Sequence, residues 1–140
     1  METPLGRTLG IAKALANPAR LRLLAVLETG ECCVCQLTAV LGLAPSTVSA
    51  HLSELKRAGL LLDRKDGKIV FYRLATAPDA KPWLKQALAG IRADGQVAAD
   101  RAFLERVRAV DVQTFCAAGP RWKLLPAFRP AKAPASRSAR

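Results

Sequence analysis

Three of the four cysteines of the chain are crowded into one short stretch. The segment reads ECCVCQL and places Cys32, Cys33 and Cys35 within four positions, whereas Cys116 lies far away in sequence. Thiolates bind soft, thiophilic ions, and they are also the groups that oxidise to disulfides. The spacing therefore indicates a site for a soft ion or a redox switch rather than ordinary core packing.

The chemistry of these thiols depends on how the segment folds. The pattern predicts that the cysteines open a helix over about residues 34–41. Residues two apart on a helix lie about 200° apart around its axis, whereas residues three apart lie about 60° apart. A regular helix therefore lets Cys32 and Cys35 share an ion, but it must distort for Cys33 and Cys35 to do so. We also expect the helix N-terminus to lower the thiol pKa.

Several ligands fit a cluster of thiols, and the sequence leaves them open. Structural zinc takes four ligands, of which Cys116 is a candidate fourth, whereas arsenite or antimonite needs only three thiols and suits the cluster better. A redox switch would join Cys32 to Cys33 or to Cys35. A thiol oxidoreductase would need its Cys-x-x-Cys after a strand in a βαβ unit, and no parallel-sheet pattern is present, so we expect no enzyme.

Length and charge restrict the class of protein. The 140 residues suffice for one domain, and the formal net charge is +11. Such an excess suits a polyanion such as DNA or an anionic membrane. No apolar run is long enough to span a bilayer, and the N-terminus lacks the pattern of a signal peptide. We therefore expect a cytoplasmic protein without a membrane partner.

The elements that must position the thiols are mostly helices. Apolar spacing predicts a first helix over 5–16, and Asn17 and Pro18 suit the cap and first turn of a second. The cysteine helix ends at Gly42, and a fourth helix runs to Gly59. Asp66-Gly67 then predicts a β-hairpin over 60–75. Residues 83–110 are helical in pattern, with Gly90 and Gly95 as candidate points of bending or splitting.

This order of elements predicts a mainly α fold with a β-hairpin wing, which is the winged helix-turn-helix. In that fold the fourth helix is expected to enter the major groove of double-stranded DNA. The candidate DNA-binding residues are small or polar on this helix and basic on the hairpin: Ser46, Thr47, Ser49, His51, Arg64, Lys65 and Lys68. The alternative for Ser46 and Thr47 is a helix cap, and for His51 a structural role.

The sequence divides into three parts. Residues 1–110 form the DNA-binding and dimerisation domain, 111–125 an extension that carries Cys116, and 126–140 a basic tail that we expect to be disordered. Apolar residues recur at helical spacing over Trp83–Ile91. We expect this helix and the first helix to form the interface of a homodimer.

Four stretches in combination resemble the ArsR/SmtB family of metal-responsive transcriptional repressors, and within it the arsenite-responsive members. They are KALANPARLRLLAVL, GECCVCQL, STVSAHLSELKRAGLL and LLDRKDGKIVFYRL. The resemblance implies a dimeric winged-helix repressor that leaves its operator when the inducer binds. It also implies that Cys33 and Cys35, which match the Cys-Val-Cys motif of arsenite repressors, bind trivalent arsenic or antimony, with no obligatory cofactor.

The sequence departs from that pattern at two positions. Many arsenite repressors carry a third cysteine three residues after the pair, where this chain has Thr38, and Cys32 stands where leucine is common. The third ligand is therefore Cys32, Cys116 or a group from outside the protein. We expect Cys33 and Cys35 to be required for induction and the third thiol only to complete the site.

Overall fold

A computed structural model describes residues 2–130. Within this range the chain forms seven α-helices, three strands and two 3-10 helices. The α-helices are α1 (Pro4–Leu15), α2 (Pro18–Glu28), α3 (Val34–Leu41), α4 (Pro45–Arg57), α5 (Lys81–Ile91), α6 (Gly95–Arg108) and α7 (Val112–Ala118). The strands are β1 (Cys32–Cys33), β2 (Leu61–Asp66) and β3 (Ile69–Leu74), and the 3-10 helices cover Gly119–Leu124 and Pro126–Phe128.

Residues that favour helix ends lie at the ends of several of these helices. The side chain of Asn17 accepts a hydrogen bond from the backbone N–H of Arg20 at 3.1 Å, and Pro18 occupies the first turn of α2, as predicted. The helical pattern over 83–110 is split into α5 and α6, and Asp94 caps α6 by accepting from the Gln96 N–H at 2.8 Å. Among residues 2–130, every helix is too short or too polar to pass through a bilayer.

The predicted hairpin is present, but its turn lies one residue further along. Asp66 pairs with Ile69, so Gly67 and Lys68 form the loop between β2 and β3. Gly67 has a φ of 61°, and no non-glycine residue of the described chain has a positive φ. A glycine with positive φ at the first central position is typical of a type II′ turn, which matches the twist of the two strands.

A third strand, which the sequence pattern did not predict, joins the thiol segment to the wing. The strand order is β1-β3-β2, and all neighbours are antiparallel. Cys32 lies opposite Tyr72 and Cys33 opposite Phe71. The segment that carries the clustered thiols is therefore an edge strand of the wing sheet, and it leads directly into α3.

Helix α6 packs on α2, and a buried ion pair joins the two helices. Asp100, which is 3% exposed, accepts two hydrogen bonds from Arg22 on α2, at 2.8 Å from Nε and 2.9 Å from Nη2. Gln96 donates a third to the same carboxylate at 2.8 Å. This ion pair raises the pKa of the Arg22 guanidinium. Because both carboxylate oxygens of Asp100 are engaged, the buried charge is fully compensated.

Aromatic side chains join the extension to α6. Four aromatic rings pack together at centroid distances of 5.1–6.1 Å: Phe103, Phe115, Trp122 and Phe128. Phe128 contributes an apolar ring to this aromatic cluster, three residues beyond the predicted boundary at residue 125. The rest of the predicted disordered tail, from 131 to 140, lies outside the described residues.

We expect Asp100→Ala to lower the free energy of unfolding by about 3 kcal/mol, because it leaves the Arg22 charge without its partner. Urea denaturation followed by circular dichroism measures this change. The matched control is Asp63→Ala, which removes an exposed ion pair with Lys56 and should change stability by about 1 kcal/mol or less. Equal effects of the two variants would contradict a special role for the Arg22–Asp100 pair.

Candidate thiol site and DNA-contact surface

Three sulfur atoms meet at the junction of β1, α3 and α7. The Sγ atoms of Cys33, Cys35 and Cys116 all lie within 4.8 Å of one another, and those of Cys33 and Cys116 are 3.3 Å apart. Within the described residues this is the one group of three or more cysteine, histidine or carboxylate side chains close enough to share an ion. The structure thus brings Cys116, 83 residues away from Cys33 in sequence, to the thiol segment.

Cys33 is not part of the helix, which corrects the geometric argument made from the sequence. It is the N-cap of α3, with extended backbone angles of −83° and 162°. Its backbone N–H donates to the buried side chain of Gln36 at 3.0 Å. Because Cys33 precedes the first turn, its sulfur approaches that of Cys35 without any distortion of α3. A regular helix does not hold the two thiols apart.

Cys32 faces another part of the molecule. Its sulfur accepts a hydrogen bond from Nη2 of Arg108 on α6 at 3.2 Å. The same guanidinium donates through Nη1 to Oγ1 of Thr29 at 2.9 Å. Successive side chains of a strand point to opposite faces, so Cys32 and Cys33 cannot both face α7. The structure therefore does not bring Cys32 into the group of three sulfurs, although the sequence made it a candidate third ligand.

Burial is the largest influence on the pKa of three of the four thiols. It raises the pKa of Cys32, Cys33 and Cys116, although Arg108 acts in the opposite direction on Cys32 and the contact with Cys116 does so on Cys33. Cys32 and Cys33 are both fully buried. The expectation that the helix N-terminus lowers the thiol pKa was wrong for Cys32 and Cys33.

A cavity of about 410 Å³ is lined by two of the three thiols. Cys35 and Cys116 line it from α3 and α7, and Lys68 and Gln113 line it from the wing turn and the start of α7. Cys116 is held there because the preceding residue, Phe115, is 1% exposed and packs in the aromatic cluster. The extension is thus anchored by apolar contacts immediately beside its thiol.

The candidate DNA-binding side chains of α4 are exposed. Ser46, Thr47 and Ser49 lie on the outer face, whereas the intervening Val48 is fully buried. Ala44 is the N-cap of α4 and no side chain caps this helix, so Ser46 and Thr47 do not have the capping role considered above. The three hydroxyl side chains therefore remain available to an external partner.

One ring nitrogen of His51 is already hydrogen-bonded within the protein. Its Nδ1 accepts a hydrogen bond from Nε of Arg20 on α2 at 3.2 Å, and the Arg20 guanidinium also donates to the Lys13 carbonyl at 3.3 Å. The half-buried imidazole thus links α2 to α4. This contact gives His51 a structural role and leaves only part of the ring for a partner.

The three basic residues of the wing differ in their environment. Arg64 donates to both carboxylate oxygens of Glu31, at 3.0 and 2.8 Å from Nε, and its guanidinium lies 4.4 Å from the centre of the Phe71 ring. This pairing lowers the pKa of the Glu31 carboxyl. Lys65 and Lys68 are exposed and form no ion pair within residues 2–130. The lysines, rather than Arg64, therefore offer uncompensated charge.

Comparison with known proteins shows to which family the chain belongs. A family model described as "Bacterial regulatory protein, arsR family" matches residues 17–61. The arsenic resistance transcriptional regulator ArsR1 of Pseudomonas putida is 40% identical over 82 residues, 58% of this chain and 62% of its own length. ArsR2 of the same organism is 36% identical over 94 residues, 66% of this chain and 80% of its own length. The chain belongs to the ArsR family.

Solved structures of ArsR-family and related regulators confirm the winged helix-turn-helix fold. HlyU from Vibrio cholerae has a TM-score of 0.56 at 34% identity, over 64% of this chain and 96% of that chain. A homodimeric winged helix-turn-helix DNA-binding domain from Mycobacterium bovis, a possible ArsR-family regulator, has a TM-score of 0.55 at 33% identity, over 64% and 84%. All these proteins are regulators rather than enzymes, as expected for this chain.

Sequence reasoning missed two residues whose contacts hold the thiol segment in place. Glu31 and Arg108 carry no motif of their own, and the only signal for Glu31 is its place directly before the cysteines. Arg108 closes the last turn of α6 and reaches the turn between α2 and β1. Their contacts become visible only when α6 and the wing are packed against the thiol segment.

We expect Cys32→Ser to bind arsenite as tightly as the wild-type protein, because the group of three sulfurs stays complete. Cys116→Ser should bind at least about tenfold more weakly, since it lacks a donor that is held at high effective concentration. Isothermal titration calorimetry in a phosphine reductant, which does not compete for arsenic as a thiol would, measures both affinities. A greater weakening in Cys32→Ser than in Cys116→Ser would contradict this assignment of ligands.

Proposed function

We propose that this ArsR-family protein is a cytoplasmic transcriptional repressor that binds operator DNA as a homodimer. It leaves the DNA when arsenite or antimonite binds Cys33, Cys35 and Cys116. The observation that carries the proposal is the group of three sulfur atoms within 4.8 Å of one another, at the start of the helix before α4. The regulation of arsenic resistance by the relatives ArsR1 and ArsR2, given in their names, supports the same inducer.

The chemistry suits a trivalent metalloid. Arsenous acid exchanges its three hydroxyl groups for three sulfurs: three As–O bonds break and three As–S bonds form. Each thiol proton leaves with a hydroxyl as water, and arsenic keeps its oxidation state. A structural zinc ion would need a fourth protein ligand, and the group of close donors in the described residues contains three. No obligatory cofactor is required for this exchange.

The thiol site is directly connected to the elements that we propose contact DNA. The ion draws Cys33, Cys35 and Cys116 together, and Cys33 belongs to β1, which pairs with β3 of the wing. Cys35 lies in the first turn of α3, which leads through Gly42 into α4. Contraction of the site therefore moves the wing relative to α4. It also moves both of these elements relative to the extension. Release follows when the two elements no longer match the spacing of the grooves.

We expect Cys33→Ser and Cys35→Ser to retain operator binding but not release by arsenite, because each leaves two sulfurs and breaks the link to β1 or α3. Cys116→Ser should weaken the response without abolishing it, since the two remaining thiols still hold the ion. Gel-shift titration with arsenite under reducing conditions measures the response. Cys32→Ser is the matched control and should respond as the wild type does.

Two results would contradict the proposal. Normal induction of Cys35→Ser would exclude the helix α3 thiol from the sensor. Normal induction of Cys33→Ser together with an absent response in Cys116→Ser would move the sensor to the extension. Circular dichroism of each variant establishes that an absent response is not caused by unfolding.

A redox switch is the second candidate, and one contact favours it. The Sγ atoms of Cys33 and Cys116 are 3.3 Å apart, which makes this pair a better candidate for a disulfide than the pairs with Cys32 considered from the sequence. Hydrogen peroxide would oxidise the two thiols to one disulfide and be reduced to two water molecules. Release of DNA by arsenite in the presence of reductant rejects the redox switch, and release by peroxide but not by arsenite rejects the metalloid sensor.

The homodimer is supported by apolar side chains left outside the core of the protomer. Leu5 and Leu9 on α1 are 80% and 51% exposed. Trp83 and Ile91 on α5 are half-buried, whereas Leu84 and Leu88, from the same predicted stripe, pack inside the protomer. We therefore propose α1 and the Trp83 and Ile91 edge of α5 as the dimer contact.

We expect the wing lysines to bind DNA phosphates, because their charges are uncompensated. Lys65→Ala and Lys68→Ala should each flatten the slope of log affinity against log salt concentration by about 0.9 for every phosphate that the variant no longer neutralises. Fluorescence anisotropy with operator DNA at several salt concentrations measures the slope. Arg64→Ala is the control on the same hairpin and should flatten it less, since Glu31 already holds its guanidinium. An unchanged slope in both lysine variants would exclude the hairpin from binding the DNA backbone.

A further inference from the structure

The extension places a basic 3-10 helix beside the start of α4. This helix, Gly119–Leu124, carries Arg121 and Lys123, and both of these side chains are exposed. A cavity of about 400 Å³ lies between the two elements, and it is lined by Lys123 from the 3-10 helix and by Leu43 and Pro45 from the start of α4. Positive charge from the extension therefore lies next to the first turn of the helix that we expect to enter the major groove.

The aromatic cluster anchors the basic 3-10 helix and directs its charges outward. Trp122 lies between the two basic residues, and its ring packs against Phe103, Phe115 and Phe128. Successive residues of a 3-10 helix are about 120° apart around the axis, so the residues on either side of an inward-facing Trp122 point away from the core. The Lys123 ammonium also lies 5.6 Å from the centre of the Trp122 ring. Both charges are therefore held at the protein surface by a packed element.

Neither charge of the basic 3-10 helix is balanced by a neighbouring acid. Arg121 and Lys123 take part in none of the ion pairs within residues 2–130, and Asp111 is the last acidic residue of the chain. An exposed excess of positive charge attracts a polyanion and is typical of surfaces that follow a phosphate backbone. In this respect the basic 3-10 helix matches the wing lysines rather than the wing arginine.

The wing and the extension place their lysines on two sides of the start of α3. Val34, the first residue of α3, lines the cavity beside the thiols, which Lys68 of the wing turn also lines. The same residue lines the cavity that Lys123 and Pro45 share. The wing turn, the start of α4 and the basic 3-10 helix therefore border one continuous region of the molecule.

From this arrangement we propose that the basic 3-10 helix is a third DNA-contact element, in which Arg121 and Lys123 bind phosphates beside the major-groove segment that α4 occupies. The inference rests on the proposed function, because it requires that α4 and the wing bind DNA. It concerns a part of the chain beyond the family model, whose match ends at residue 61. Because phosphate contacts carry no base information, this element should raise affinity and fix orientation without adding sequence preference.

The test measures how salt affects binding to a duplex that the wild-type protein selects from a random-sequence pool. We expect the double variant Arg121→Gln, Lys123→Gln to flatten the slope of log affinity against log salt concentration by about 0.9 for each phosphate that it no longer neutralises. The matched control, Lys81→Gln with Lys85→Gln, removes the same charge from exposed side chains of α5 that line neither cavity, and its slope should equal that of the wild type. Circular dichroism should show that both variants are folded, since all four side chains are exposed.

Ethylation interference on the same duplex locates the contact. We expect Arg121→Gln, Lys123→Gln to lose interference at phosphates beside the segment that α4 covers, and Lys65→Ala, Lys68→Ala to lose it at other phosphates.

Three results would contradict the inference, and they differ in what they leave standing. A wild-type slope and interference pattern in the extension variant, with both changed in the wing variant, would overturn the inference and leave the proposed function intact. An unchanged slope together with an altered oligomeric state in sedimentation would assign the basic 3-10 helix to a protein contact instead. Failure of the selection to yield a bound duplex would remove the proposed function and this inference with it.

Discussion

The pairing of β1 with β3 is the contact on which the thiol site depends. Two residues, Cys32 and Cys33, form this strand, and their extended backbone sends one sulfur to each side of the sheet. One thiol is thereby buried against Arg108 and the other faces Cys116. If the segment were helical from Cys32 onwards, Cys33 and Cys35 would lie about 200° apart around the helix axis, and Cys116 could not join those two thiols.

The same strand links the thiol group to the elements that we propose contact DNA. Glu31, the residue before β1, binds Arg64 of the wing, and Cys33 lies opposite Phe71, whose ring the Arg64 guanidinium covers. The residue after β1 begins α3. Cys33 is therefore connected both to the wing and to the helix before α4. Rigid, well-packed elements respond to a shift as units rather than absorbing it locally.

The sequence predicted the parts of this arrangement that are encoded locally. Helix caps such as Asn17, the end of α3 at Gly42 and the Asp66-Gly67 hairpin signal all depend on neighbouring residues, and the elements they indicate are present. β1 was missed because two residues carry no periodicity, and their strand conformation comes from a partner about 40 positions later. The approach of Cys116 and the burial of the thiols depend in the same way on packing between distant segments.

Burial of the thiols also bears on which ions the site can distinguish. Cys33 and Cys116 have raised pKa values and hold their protons at neutral pH. A divalent cation must displace those protons into solvent, and its affinity falls as the thiol pKa rises. Arsenous acid is neutral, and it removes each proton within a water molecule formed from its own hydroxyl. Desolvation thus penalises zinc and similar cations while leaving the exchange with arsenic largely unaffected. The raised pKa values of Cys33 and Cys116 are therefore consistent with the neutral trivalent metalloid of the proposed function.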